Sequence, residues 1–402
     1  MSTKTKILIF VGILTVVMVV QYFLPELGQS QVVRIEATGH IVNYNFDDSP
    51  SFHSNNSNLF YTVTRDGITL RTSDMMVRMS AAFSFSNPVM VARGDIVAVG
   101  ERSGGRRVYV FDQDGLLFRR DFDDPVLFFT VTETGILTVV LQTSFGHVFY
   151  AFTEQSVIRQ DDRQHIFGGQ VVDFMTQPIV EMSADGRYAA IAILCAATRL
   201  RTTVELRYNN RTVALQWGTE DGFFASEIFA EQTFVTMRFM ADNRLVVVTN
   251  NQIVCYAIVE SAHSITVKNE LWRRPLDNYF THLEFYGNSH IIYVTGPARV
   301  GVVGGSSSGT VYILDLNGDV VGDFSTGRRV THLSVGHGAV LVGADRNFHA
   351  VDFRSGHIWE HNTLHETRAV IFLDNTDTIL VAGANNAGVF ERRRTRVETG
   401  AY

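Results

Sequence analysis

The sequence is poor in lysine, proline, cysteine and tryptophan, and each shortage excludes something. Lys4, Lys6 and Lys268 are the only lysines, so arginine carries nearly all the positive charge. With a formal net charge of −7, the chain lacks the basic face that a general nucleic-acid binder needs. Seven prolines leave long stretches free to pair as strands. The two cysteines, Cys195 and Cys255, sit in the apolar runs Ala-Ile-Leu-Cys-Ala and Ile-Val-Cys-Tyr. They read as buried thiols; their spacing fits no metal or redox motif and does not settle whether they pair. Only three tryptophans are present, Trp217, Trp272 and Trp359.

What is present begins with an apolar run. Ile7 to Leu24 carries no charge, follows Lys4 and Lys6, and precedes Glu26. As a helix it would be roughly 27 Å long, enough for a thin hydrocarbon core. The positive-inside rule then leaves residues 1–6 in the cytoplasm and exports everything after Pro25. A cleaved signal peptide is the rival, but the run is long. No Ala-x-Ala-like site follows it in Gln-Tyr-Phe-Leu-Pro-Glu.

The rest is strands and turns. An apolar content of 46% with 11% aromatics excludes a disordered chain. Ala350 to His361 shows the unit most clearly: a strand, a turn in which Asp352 bonds back to the backbone and Gly356 takes a positive φ, then a strand carrying Trp359. Val110 to Leu116 and Ile313 to Asp319 repeat the turn, with Gly115 at the position that needs positive φ. Pro88 to Asp123 reads as a complete four-stranded meander, and Tyr61 to Leu70 as a hairpin closed by Arg65-Asp66-Gly67. The rhythm restarts near Val126, Ile179, Val235, His282, Thr331 and Ala369, a period of roughly 35 to 55 residues that belongs to propeller blades. The expected fold is therefore an all-β propeller of seven or eight four-stranded antiparallel blades, eight favoured, after one transmembrane helix. Residues 7–24 are the anchor, 25–58 a linker, 59–394 the propeller and 395–402 a tail. Asn45 to Asn58 reads as a loop. A strand from Val32 to Tyr44 would complete the last blade, which shows only three strands of its own.

These residues support a resemblance. Ala350-Val351-Asp352, Gly356 and Trp359 look like the repeat of quinoprotein-like propellers, in which the Trp docks between blades. Trp217 and Trp272 are further candidates for that role. The order from Lys4 through the apolar run to Asp66-Gly67-Ile68, Val108 to Asp112 and Ser183-Ala184-Asp185-Gly186 resembles an uncharacterised bacterial family of membrane-anchored propellers. The resemblance implies fold and topology more than activity.

No cofactor or metal is expected. A quinone-dependent enzyme of this fold would want a calcium site, a Trp floor and commonly adjacent cysteines, which are absent. Gly301 to Gly309 lacks the Lys-Ser/Thr and helix of a phosphate loop. The histidines from His332 to His365 read as scattered. Aligning the first strands places His282, His332, Arg238 and Glu284 in the channel lining. Phe223, Phe224, Arg273, Arg274 and Tyr279 lie between repeats and are the candidates for contact with a protein of the cell envelope. The reading that follows is a membrane-tethered, extracytoplasmic, non-enzymatic binding module. Its alternatives are a hydrolase or lyase at the channel mouth, which would show clustered ionisable residues with perturbed pKa values, and a sensor signalling through a partner.

Overall fold

The computed structural model describes residues 31–44, 50–54, 58–102, 104–158, 165–171, 178–195, 201–208, 223–230, 232–260, 265–276, 280–296, 309–344, 346–363, 367–383 and 385–396. Within them, eight antiparallel sheets of four strands each follow one another along the chain. Eight blades is thus the count, and the expected propeller is present.

Blade 2 shows why these residues make these strands. Its strands are β6 (Pro88–Arg93), β7 (Ile96–Glu101), β8 (Arg107–Phe111) and β9 (Leu116–Asp121). Strand β7 is covered on both faces by neighbouring blades, so Val97, Ala98 and Val99 form a continuous buried apolar run. Strand β9 lies outermost and buries only Phe118, so it carries charge between apolar positions. The turn joining β8 to β9 is held by Asp112, whose Oδ1 accepts from the N–H groups of Asp114 and Gly115, both at 2.9 Å. Gly115 has φ +147°, a region that disfavours any side chain. Asp352 repeats the device, accepting from Arg354 N at 3.0 Å and Ser355 N at 2.8 Å, with Gly356 at φ +82°.

The innermost strands begin at Ser51, Pro88, Val126, Ile179, Phe234, Phe280, His332 and Ala369. Seven of these match the start of the Pro88 meander and the six restarts in the sequence. The eighth, β2 (Ser51–Ser54), falls inside the stretch read as a loop. Four residues among Asn and Ser are too few to show an alternation. Helix α1 (Glu154–Ile158) is a single turn, capped by Thr153 and Ser156 through side-chain to backbone bonds of 3.0 and 3.3 Å.

The ring closes as the sequence suggests. Strand β1 (Gln31–Asn43) pairs antiparallel with β32 (Asn386–Arg396), from Gln31↔Arg396 to Asn43↔Asn386, and becomes the outer strand of blade 8. The Arg392 to Arg396 run therefore belongs to a blade, and Arg392 Nη1 bonds Asp377 Oδ1 at 3.1 Å. The apolar run from Ile7 to Leu24 lies outside the described residues, among which no helix is long and apolar enough to cross a membrane.

Blades are pinned to one another by tryptophan. Trp359 is 3% exposed and packs among Ala339, Leu341 and Phe348 of blade 7 and Val370, Phe372 and Ile379 of blade 8. Its Nε1 donates to the Thr376 carbonyl at 2.8 Å. Trp272 of blade 5 does the same to Leu316 O of blade 6, also at 2.8 Å. Gly318 lies so close beneath it that a Cβ there would sit 2.6 Å from the indole. Trp217 lies outside the described residues. Cys255 is a buried free thiol in this seam, pushed up to about 11 by burial.

Candidate functional site: a charged lumen

The first strand of each blade has one face toward the ring axis, where no neighbouring blade can cover it. Polar residues on that face therefore meet each other across the lumen. Arg238 on β18 (Phe234–Met240), Glu284 on β22 (Phe280–Tyr286) and His332 on β26 (His332–Gly336) are there, as is His282 two residues before Glu284. All four residues expected in the channel lining border one cavity of about 480 Å³. His53, Arg93 and Glu133 border it too.

The charged groups form one network. Arg93 Nη2 lies 3.9 Å from Glu181 Oε1, and Arg238 Nη2 lies 3.6 Å from Glu133 Oε1. Thr130 Oγ1 donates to Glu181 Oε2 at 3.5 Å, and Asn288 Nδ2 to Glu133 Oε2 at 3.1 Å. The Arg238 guanidinium also covers the Phe285 ring at 5.2 Å. These contacts join blades 2, 3, 4, 5 and 6 around the axis.

Burial dominates the electrostatics. Glu181 is pushed up by desolvation, against the pull of Arg93, Arg238 and its Thr130 bond. Glu284 is pushed up by the same cause, opposed by the same two arginines. The Glu284 side chain is exposed to the lumen, but protein lies close around it there, so burial still dominates. Arg238 falls to about 10, first through burial and then through Arg93, with Glu181, Glu133 and Glu284 opposing. Chemically the lumen holds carboxyl groups that resist ionisation beside guanidinium groups fixed in place.

The histidines do different work. His332 Nε2 lies 2.7 Å from the Arg368 carbonyl, and its Nδ1 2.9 Å from Thr331 Oγ1. Both ring nitrogens are engaged, and the first links blade 7 to the start of blade 8. His282 Nδ1 lies 3.0 Å from Thr281 Oγ1, and its pKa is pushed down by burial. A wider hollow of about 730 Å³ lies beside α1, between blades 2 and 3. It gathers no comparable ion-paired set, so the lumen is the better candidate.

The raised Glu284 gives a sign for pH dependence. Its folded-state pKa exceeds the unfolded value of about 4.3, so the native state keeps the proton longer. That contribution is full below the unfolded value and is lost as pH rises through the folded one. Glu284→Gln is expected to match the wild-type melting temperature near pH 4 and to exceed it at pH 7. Paired thermal melts from pH 4 to 8 test this; a variant less stable at pH 7 would show that the arginines outweigh desolvation.

A profile described as "Family of unknown function (DUF5711)" matches residues 39–389. The chain belongs to that family. No curated protein matches the sequence. Among solved structures, the C-terminal WD40 domain of Sif2 is similar at 11% identity and a TM-score of 0.56, over 89% of this chain and 98% of that one. The WD40 domain of SCAP from fission yeast is similar at 10% identity and 0.51, over 89% and 94%. BamB from Moraxella catarrhalis is similar more loosely, at 12% identity and 0.47, over 89% and 100%. At these identities the likeness shows the propeller fold alone, and the family itself has no assigned role.

The residues expected to contact a partner are not all in loops. Phe223 and Phe224 open β17 (Phe223–Ala230), and Arg273 and Arg274 lie in β21 (Ile265–Pro275), the outer strands of blades 4 and 5. Arg273 and Arg274 read as part of a connection because outer strands tolerate charge on their solvent face. Arg274 Nε donates to Tyr293 OH at 2.9 Å, so it is spent on joining blades 5 and 6. Arg273 remains exposed, clasped by Glu270 at 2.6 and 3.0 Å. Tyr279 lies outside the described residues. Arg93 and Glu181 were not anticipated, although each lies on a first strand, as Arg238 and Glu284 do.

Proposed function

We propose that the chain is a non-enzymatic interaction scaffold of the cell envelope. The run from Ile7 to Leu24 holds it at a membrane, and the propeller lies outside the cytoplasm. The observation that carries the reading is where exposed apolar side chains fall. Among the described residues, five of the eight exposed large apolar side chains, Met76 and Val77, Leu116, and Val320 with Val321, lie at the turn into the fourth strand of their blades and are 39–58% exposed, while Ile41, Phe145 and Leu271 lie elsewhere. In antiparallel blades that turn shares a face with the turn between strands one and two. Blades 1, 2 and 6 thus present apolar groups on one side of the ring. Residues of this kind, ringed by polar rim, bury well against a protein partner.

The tether favours the same reading. Strand β1 starts at Gln31, shortly after the apolar run, and is itself a rim strand. A membrane anchor there would hold the ring by its edge and leave both faces open. Photo-crosslinking in native membranes tests the face, with the probe at Leu116, Val320 or Phe145. Phe145 is 79% exposed but lies at the turn between strands two and three, on the opposite face. A discrete adduct is expected from Leu116 and Val320 and none from Phe145. Equal labelling from all three, or none, would reject the docking face. A C-terminal tag resistant to protease added to spheroplasts would reject the topology.

A second reading is favoured by one observation, the perturbed carboxyls of Glu181 and Glu284 in the lumen. These are what an acid–base enzyme at the channel mouth would show. Structural ion-pair networks perturb pKa values as well, and Glu181 is already committed to Arg93 and Thr130. The scaffold is therefore preferred.

A further inference from the structure

We propose that His349, His357 and Glu360 form a binding site for a divalent transition ion of the zinc class, at the seam between blades 6 and 7. His349 lies on β28 (Asn347–Asp352), and His357 and Glu360 on β29 (Gly356–Asn362). In a regular strand, residues three apart point to opposite faces. Here the register shifts: Trp359 pairs with Ala350, whereas His357 pairs with Val351, leaving Ile358 as the extra residue of a bulge. Glu360 pairs with His349 directly. The bulge therefore turns His357 and Glu360 onto the same face as His349.

Donor atoms of the three side chains all lie within 4.8 Å of one another. His349 Nδ1 is 3.9 Å from Glu360 Oε2. That nitrogen is buried and has no hydrogen-bond partner, a condition native structures rarely leave unexplained. Packing alone accounts for the ring's position but not for its orphaned nitrogen. Phe324 on β25 (Val320–Ser325) of blade 6 lies against both imidazoles, at 5.2 and 5.9 Å between ring centres. It fixes their planes and walls off one side.

The donor set is two imidazoles and one carboxylate, which suits zinc with a fourth position left for water. A tetrahedral ion separates its donors by roughly 3.3 Å. The exposed His357 and Glu360 need only swing inward by about an ångström, while His349, whose side chain is 12% exposed, stays put. Arg328 is near enough to oppose a cation, and the charge of Glu360 offsets it. The bound ion would clip β28 to β29 beside the blade 6 wall. The site lies away from the lumen and does not depend on the scaffold reading.

The test uses the full chain without an affinity tag, stripped with chelator and then titrated with zinc or with cobalt. Saturable binding of a single ion is expected, with a zinc-dependent rise in melting temperature and the visible absorption of tetrahedral cobalt. His357→Ala and Glu360→Gln should each weaken zinc by about tenfold or more, since even loss of an outer-shell group costs about that much. Both side chains are exposed, so the metal-free variants should melt close to wild type. Absence of saturable binding would overturn the site. So would affinity unchanged in both variants, which would put the ion elsewhere.

Discussion

A chain that begins at residue 45 is expected not to fold, whereas one that begins at residue 31 is expected to melt as the full-length protein does. The difference is strand β1. It aligns ten positions against β32, and β32 would otherwise be an open edge. At about 0.5–1.5 kcal/mol net for each hydrogen bond, the pairing is worth on the order of 5 kcal/mol. Side chains add to it. Ile35 packs on the cluster around Trp359, and Thr38 Oγ1 donates to Val389 O at 3.0 Å. Next to β1, the Tyr44 hydroxyl donates to the carbonyls of Gly383 and Asn386, at 2.6 and 2.8 Å. The total approaches the whole stability of an ordinary domain, about 5–15 kcal/mol. Circular dichroism and sedimentation of the two truncations would read the outcome. A peptide of residues 31–44 added in trans should partly restore the shorter chain, because it supplies the missing edge. A shorter chain that melted cooperatively at the wild-type temperature would show that blade 8 stands on three strands.

Trp359→Ala should cost about 3–5 kcal/mol in denaturant unfolding. The indole is almost fully buried between blades 7 and 8, so truncation leaves a cavity that neither sheet can collapse into. It also strands the Thr376 carbonyl, which the indole N–H now satisfies. Trp359→Phe keeps most of the volume and loses the bond, so about 1–2 kcal/mol is expected. Trp272→Ala should cost less, because that ring is only half-buried. A loss below about 1 kcal/mol for Trp359→Ala would mean that the seam repacks, contrary to its role as a pin. Because Ile35 touches the same cluster, this substitution and changes in β1 should not be additive.

Turns carried most of the information in the sequence. Asp112, Asp352, Gly115 and Gly356 fix hairpins by local chemistry, so their spacing reveals blades without any long-range knowledge. The second strands were legible for a different reason: burial on both faces writes them as unbroken apolar runs. Strand β2 was not legible, because four residues in a polar stretch carry no period. The lumen was legible in part. Arg238 and Glu284 lie on long first strands that align with each other. Glu181 lies on the four-residue β14 (Ile179–Met182), which offers little to align, and Glu133 lies in a turn beyond its strand. The bulge at Ile358 was invisible, since nothing in Gly-His-Ile-Trp-Glu states which residue will be left unpaired. With it went the meeting of His349, His357 and Glu360, which the sequence scatters and the sheet gathers.

The pairing of β1 with β32 also sets an order of events. Thr38 and Val389 are bonded to each other across a separation of 351 residues. Strand β1 therefore waits, unpaired, until the segment around Val389 has been made. Contacts this distant form slowly, since a long loop must close before they return any energy. A chain cut short at any blade keeps a free edge at β1, however well its middle blades have formed. Such an edge invites pairing with other chains or capture by quality control. Closure thus acts as a check on completeness: the ring seals when the final blade has been made, and interrupted products remain recognisable by the strand they cannot pair.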